Sequence, residues 1–243
     1  MKALRSVAAV LAAYVAITLV NEELLIKSLF LRQIEPQYIR EHFWIKLSVH
    51  HLGQMALALL AMTLLLKRPL RSFGLNRASW PRSRTYMLWF GSVWTVLTLL
   101  NFLPNLLQGR PEPLGFTPRV FDIVGWLAFK GLLSGTSEEI FFRGLLQTML
   151  VAGWPAIPRL VGGRISLAAI IVALVFAFAH VEFYFSPFTI EYNPMNVVAA
   201  FLLGVFYGVA YDRTGSLLAP IVAHNYANLA MSLGAWGTVL LFG

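Results

Sequence analysis

Stretch after stretch of this chain is apolar for about the length that crosses a membrane. A helix rises 1.5 Å per residue, so roughly 20 apolar residues span the hydrocarbon core. Spans of that kind read as Ser6–Leu25, Trp44–Leu66, Thr85–Leu103, Val120–Leu150, Ser166–Phe185, Met195–Tyr211 and Leu217–Leu241. Charged residues make up only 12% of the sequence, against about 25% in a soluble domain. The expected fold is therefore all-α: a polytopic transmembrane helical bundle of about seven spans, eight at most. It reads as one integral-membrane domain over 1–243, with its motif-bearing core from about 120 to 241. Breakers and charges separate the spans, as at Lys67-Arg68-Pro69, Trp80-Pro81-Arg82, Pro111-Glu112-Pro113, Gly162-Gly163-Arg164 and Asn193-Pro194.

The chain has no cysteine, which excludes a disulfide framework, a thiolate metal site and a cysteine nucleophile. Its net charge of +8 fits loop Lys and Arg that set topology and touch anionic lipid. No basic run is interleaved with aromatics on a soluble module, so nucleic acid is not an expected partner. Lys2 and Arg5 precede the first apolar run in the manner of a signal peptide. Asn21-Glu22-Glu23 follows it instead of a small-residue cleavage site, so the run reads as a retained helix. Lys and Arg concentrate in Lys67–Arg84 and beside Lys2. By the positive-inside rule this puts the N-terminus in the cytoplasm. The expected location is the bacterial cytoplasmic (inner) membrane, as a multi-pass protein.

Within these spans the polar residues stand out, because charge at bilayer depth costs several kcal/mol (~3 or more). The fourth span holds Glu138, Glu139 and Arg143. Glu139 and Arg143 are four apart, so they share a helix face and can pair. Glu138 is rotated by about 100° and needs another partner or a task. The fifth span reads Phe176-x-x-x-His180 and the seventh His224-x-x-x-Asn228. From their cytoplasmic ends, helix rise places Glu138, His180, His224 and Asn228 roughly 12–21 Å deep, in one layer. Taken singly, His180 or His224 could be a helix-packing hydrogen bonder. His50 and His51 read as packing or lining residues, Glu22 and Glu23 as interfacial, and Lys130 as a snorkelling side chain.

Together, Glu138-Glu139-x-x-x-Arg143, Phe176-x-x-x-His180 and His224-x-x-x-Asn228 resemble the three motifs of the CPBP family. This is the CAAX protease and bacteriocin-processing, or abortive-infection, family, related to the CAAX prenyl endopeptidases. The resemblance covers roughly Gly131 to Leu229 and includes Tyr211-Asp212-Arg213-Thr214-Gly215-Ser216-Leu217. It implies a glutamate-dependent intramembrane endopeptidase acting on membrane-associated or secreted protein substrates. Carried over, Glu138 is the general base that polarises a water with help from His180. His224 and Asn228 support the oxyanion, and Glu139 and Arg143 give structural support. Peptide hydrolysis needs such a base and such donors.

The same resemblance leaves a metal-dependent variant open, with zinc held by Glu138, His180 and His224, a His₂Glu set. The metal-free reading, with no cofactor, is preferred, since no His-x-x-x-His pair lies on one helix. Two other functions compete. One is a non-catalytic scaffold or bacteriocin-immunity protein of the same fold. The other is a proton-coupled transporter, because Glu and His in spans also build proton relays. The expected partners are a protein or peptide substrate and the lipid bilayer. The sequence defines neither an oligomeric state nor whether the substrate is prenylated.

Overall fold

The structure, a computed structural model, describes residues 1–114, 119–185 and 187–243. It is mostly helical. The helices are α1 (Lys2–Gln33), α2 (Pro36–Glu41), α3 (Phe43–Leu65), α4 (Trp80–Gln108), α5 (residues 120–153), α6 (Leu167–Phe178), α7 (Pro194–Thr214) and α8 (Leu218–Phe242). Two small antiparallel hairpins accompany them, β1 (Arg159–Leu160) with β2 (Ile165–Ser166), and β3 (Glu182–Phe185) with β4 (Phe188–Glu191).

Among the described residues, four helices are long and apolar enough to cross a membrane: α1, α3, α4 and α7. This marks an integral membrane protein, with fewer such helices than the seven expected spans. The other three fall short for separate reasons. Charges interrupt α5. Polar groups from His224 to Asn228 dilute the first half of α8. The expected span Ser166–Phe185 is replaced by a 12-residue helix, α6, roughly 18 Å long, followed by the β3–β4 hairpin. Glu182-Phe183-Tyr184-Phe185 is rich in aromatic residues that favour strands over helix. Its partner strand pairs Glu182 with Glu191 and Tyr184 with Thr189.

Local signals set several helix ends. Ser166 caps α6, its hydroxyl accepting from the Ala169 amide at 3.1 Å. Asn193 caps α7, accepting from the amides of Met195 and Asn196, with Pro194 as first residue, the arrangement that favours a helix start. Gly215 ends α7 in the left-handed conformation, φ 63°, which costs glycine little.

The chain divides into two compact units. Unit 1 comprises Met1–Ala16, Ala58–Ser83 and Glu139–Pro220; unit 2 comprises Ile17–Leu57, Arg84–Glu138 and Ile221–Gly243. The core of unit 1 forms where α6 and α7 pack through small residues. A Cβ added to Gly204 would lie 3.0 Å from that of Ala173, and one added to Gly208 would lie 2.8 Å from that of Ala169. Two small residues four apart on each helix let the backbones approach closely, the usual basis of helix association in lipid. In unit 2, Gly125 and Gly234 play a similar part, their missing side chains making room for Trp44 and Phe102.

Candidate active site

The Glu-Glu motif lies on one short α-helical stretch of α5, Ser134–Glu139. Wider π-type turns flank it, at Phe129–Leu133 and Ile140–Gln147. Such turns are uncommon and collect at functional positions.

In unit 2 the stretch ends on Glu138, whose Oε2 lies 3.2 Å from Nε2 of His224 on α8. His224 is buried, while the Glu138 side chain keeps 18% of its surface exposed. Close approach of α5 and α8 depends on Gly135. A Cβ there would come within 2.9 Å of the His224 Cβ and 2.7 Å of Asn225 Oδ1. Asn225 fastens the pair, donating to Leu132 O at 3.3 Å and to Thr136 Oγ1 at 3.0 Å. Asn228, one turn after His224, donates its amide to Ser134 Oγ at 3.3 Å.

Two residues of α3 complete this polar layer. His51 Nδ1 is 2.6 Å from Ser137 Oγ, and Gln54 Oε1 is 3.5 Å from the same hydroxyl. His51 is buried, packs edge-on against Phe129, and lies within electrostatic reach of Glu138 and His224. Lys130 is also within electrostatic reach of Glu138. Beside His51, His50 hydrogen-bonds Glu22 and receives the amide of buried Asn21 on its carbonyl at 3.0 Å. His50 and His51 therefore do more than pack. Adjacent histidines in an apolar span were the visible signal; their partners, Glu22 and Ser137, are remote in sequence.

In unit 1 the second glutamate has a different setting. Arg143 Nη1 donates to Glu139 Oε1 at 2.9 Å, and neither side chain has exposed surface. Arg143 Nη2 donates to the Gly204 carbonyl at 2.9 Å. The guanidinium lies over Phe176 at 4.8 Å and Tyr207 at 5.4 Å from the ring centroids. One turn further along α5, Gln147 donates to the Gly208 carbonyl at 3.1 Å and to Asp212 Oδ1 at 2.8 Å. Asp212 in turn accepts from Ser166. Arg143 and Gln147 thus reach the carbonyls of the same two glycines that let α6 approach α7.

His180 also belongs to unit 1. It sits in the turn after α6 and is exposed, two residues beyond the helix that was expected to carry it. Its Nδ1 is 2.9 Å from the Phe176 carbonyl, and its ring meets the Phe176 ring edge-on. A carbonyl only accepts, so Nδ1 carries a proton and donates it. Among the described residues no three His, Cys, Asp or Glu side chains are grouped to hold a metal ion.

Residues 120–230 match a family model described as type II CAAX prenyl endopeptidase Rce1-like. No curated protein and no solved structure matches the chain. The matched segment contains Glu138, Glu139, Arg143, Phe176, His180, His224 and Asn228. Over these residues the chain is similar to that family, which agrees with the CPBP resemblance of its three motifs.

Proposed function

We propose that this protein is an intramembrane endopeptidase that hydrolyses peptide bonds with Glu138 as general base. The observation that carries the reading is the Glu138–His224 pair, 3.2 Å apart on two helices of an apolar bundle. A chain that only spanned a membrane would gain nothing from it, since ionisable groups at that depth are costly. Glu138 is the partly exposed member of the pair, and a hydrolase needs its base within reach of water.

The chemistry follows from the atoms. The Glu138 carboxylate accepts a proton from a water molecule, and the oxygen of that water attacks the substrate's carbonyl carbon. The carbonyl oxygen gains negative charge and needs a donor. The second amide proton of Asn228 is one candidate; His224 Nε2–H, one turn away on α8, is the other once Glu138 has taken its proton and lost the charge that holds it. Glu138 then passes its proton to the departing nitrogen, the C–N bond breaks, and the carboxylate is restored. His180 is assigned through the motif resemblance alone, which gives it the part of helping Glu138 polarise the water. Glu139 and Arg143 serve the fold. No step requires a metal. The basic stretch from Lys67 to Arg84 favours an N-terminus in the cytoplasm of a bacterial inner membrane.

The test is cleavage of a panel of fluorogenic peptides by purified protein in liposomes, run in heavy-oxygen water. The reading requires one heavy oxygen in each new C-terminal carboxylate. Proton flux across the same liposomes without cleavage would support a transporter instead.

A further inference from the structure

A cavity of about 510 Å³ lies within unit 2, walled by Phe43, Leu114, Trp126 and Trp236 and bearing two cations, Arg40 and Lys130. The walls come from the start of α3, the first half of α5 and the second half of α8. Lys130 was expected to snorkel to the interface. Instead it lies half-buried against aromatic faces, its Nζ 5.8 Å from the Trp126 centroid and 5.5 Å from that of Phe129. Among the described residues neither Lys130 nor Arg40 has a carboxylate within ion-pair distance. The nearby acids are committed elsewhere. Glu41 pairs with Arg119 at 3.2 Å, Asp122 with His42 at 2.5 Å, and Glu138 with His224.

We propose that this cavity is a binding site for one acidic phospholipid. The phosphodiester would sit between Arg40 at the exposed side and Lys130 further in, and an acyl chain would lie along Phe43, Trp126 and Trp236. The argument is charge complementarity in a particular solvent. Two cations with no carboxylate at ion-pair distance among the described residues, on an apolar, aromatic wall, are matched by a molecule that is anionic at one end and hydrocarbon at the other. The bilayer supplies that molecule at high local concentration. Tryptophan suits the boundary between the two ends, being apolar in body and polar at its N–H. A zwitterionic lipid would bring its own cation towards Lys130 and Arg40, and so be disfavoured. The site is independent of the hydrolytic reading, and its failure would leave that reading untouched.

Tryptophan quenching by brominated lipid tests it directly. The full chain is reconstituted in phosphatidylcholine vesicles doped at equal mole fraction with phosphatidylglycerol or phosphatidylcholine carrying dibrominated acyl chains. The expected result is stronger quenching by the brominated phosphatidylglycerol, with the excess reduced in Trp236→Phe and lost when Trp126→Phe is added. Removing one cation, as in Lys130→Met or Arg40→Gln, should weaken the preference about fivefold, the worth of one basic side chain near an anionic surface. Arg40 is exposed, so its variant is informative even if Lys130→Met folds poorly. Equal quenching by the two lipids, or a preference for phosphatidylglycerol unchanged in both cation variants, would overturn the proposal.

Discussion

Arg143 and Glu139 form an ion pair across one helical turn with no exposed surface on either side chain. Removing one partner of such a pair strands a buried charge, at a cost of about 3–5 kcal/mol. Glu139→Gln and Arg143→Met should each lower the thermal unfolding midpoint in detergent markedly. The double variant Glu139→Met/Arg143→Leu should regain part of the loss, because apolar replacements of a whole buried pair are often tolerated. Arg143→Met also takes a donor from the Gly204 carbonyl, so it should be the worse of the two single changes. Single variants as stable as the parent yet inactive in peptide cleavage would move the pair from structural to catalytic roles.

A second prediction concerns the glycines of α7. Gly208→Ala puts a methyl group 2.8 Å from the Ala169 Cβ and 3.0 Å from Gln147 Oε1. Overpacking of this kind costs about 1–3 kcal/mol. Thermal melts should show that loss, and pairing the change with Ala169→Gly should restore most of it. No change in the midpoint would mean that α6 and α7 are not held as closely as described.

Much of this arrangement was legible in the sequence, and the limits have physical causes. The i, i+4 spacing was enough to pair Glu139 with Arg143, because helix geometry alone sets that contact. Asn193-Pro194 announced the start of α7 for the same local reason. The Glu138–His224 contact needed residues on two distant helices to meet; helix rise put them in one layer, and the motif resemblance put them in one site. Ser137 and His51 carried no signal beyond being polar in an apolar run. The end of α6 was misjudged because apolar content alone extended it to Phe185, whereas aromatic strand residues close a hairpin after His180. The turns on either side of Ser134–Glu139 each hold one glycine, Gly131 and Gly144, and a lone glycine in an apolar run does not announce a widened turn.

Gly135 gives a third prediction, one that separates catalysis from stability. Gly135→Ala should push α8 away at His224 and Asn225 while leaving the ion pair of Glu139 intact. A displacement near 1 Å can cost about 10²-fold in rate. The expected outcome is a drop in kcat of that order beside a loss of stability like that of Gly208→Ala, which should keep its kcat. Unaltered kcat would show that the separation of Glu138 and His224 does not matter.

Metal chelation gives a fourth. With hydrolysis driven by Glu138 alone, prolonged treatment with EDTA or phenanthroline should leave peptide cleavage unchanged, and purified protein should carry no stoichiometric zinc. Activity lost on chelation and regained on adding zinc would reverse the metal-free assignment and make Glu138 and His224 ligands.

The central claim is most directly tested by Glu138→Gln. Glutamine keeps the shape of the side chain and an oxygen for His224 Nε2–H, but it cannot take a proton from water. The measurement is peptide cleavage by the purified variant in liposomes, beside its thermal midpoint. The account predicts a midpoint close to the parent and a rate lower by about 10²–10⁴-fold, the usual contribution of a general base. Cleavage at near-parental rate by folded Glu138→Gln protein would contradict it.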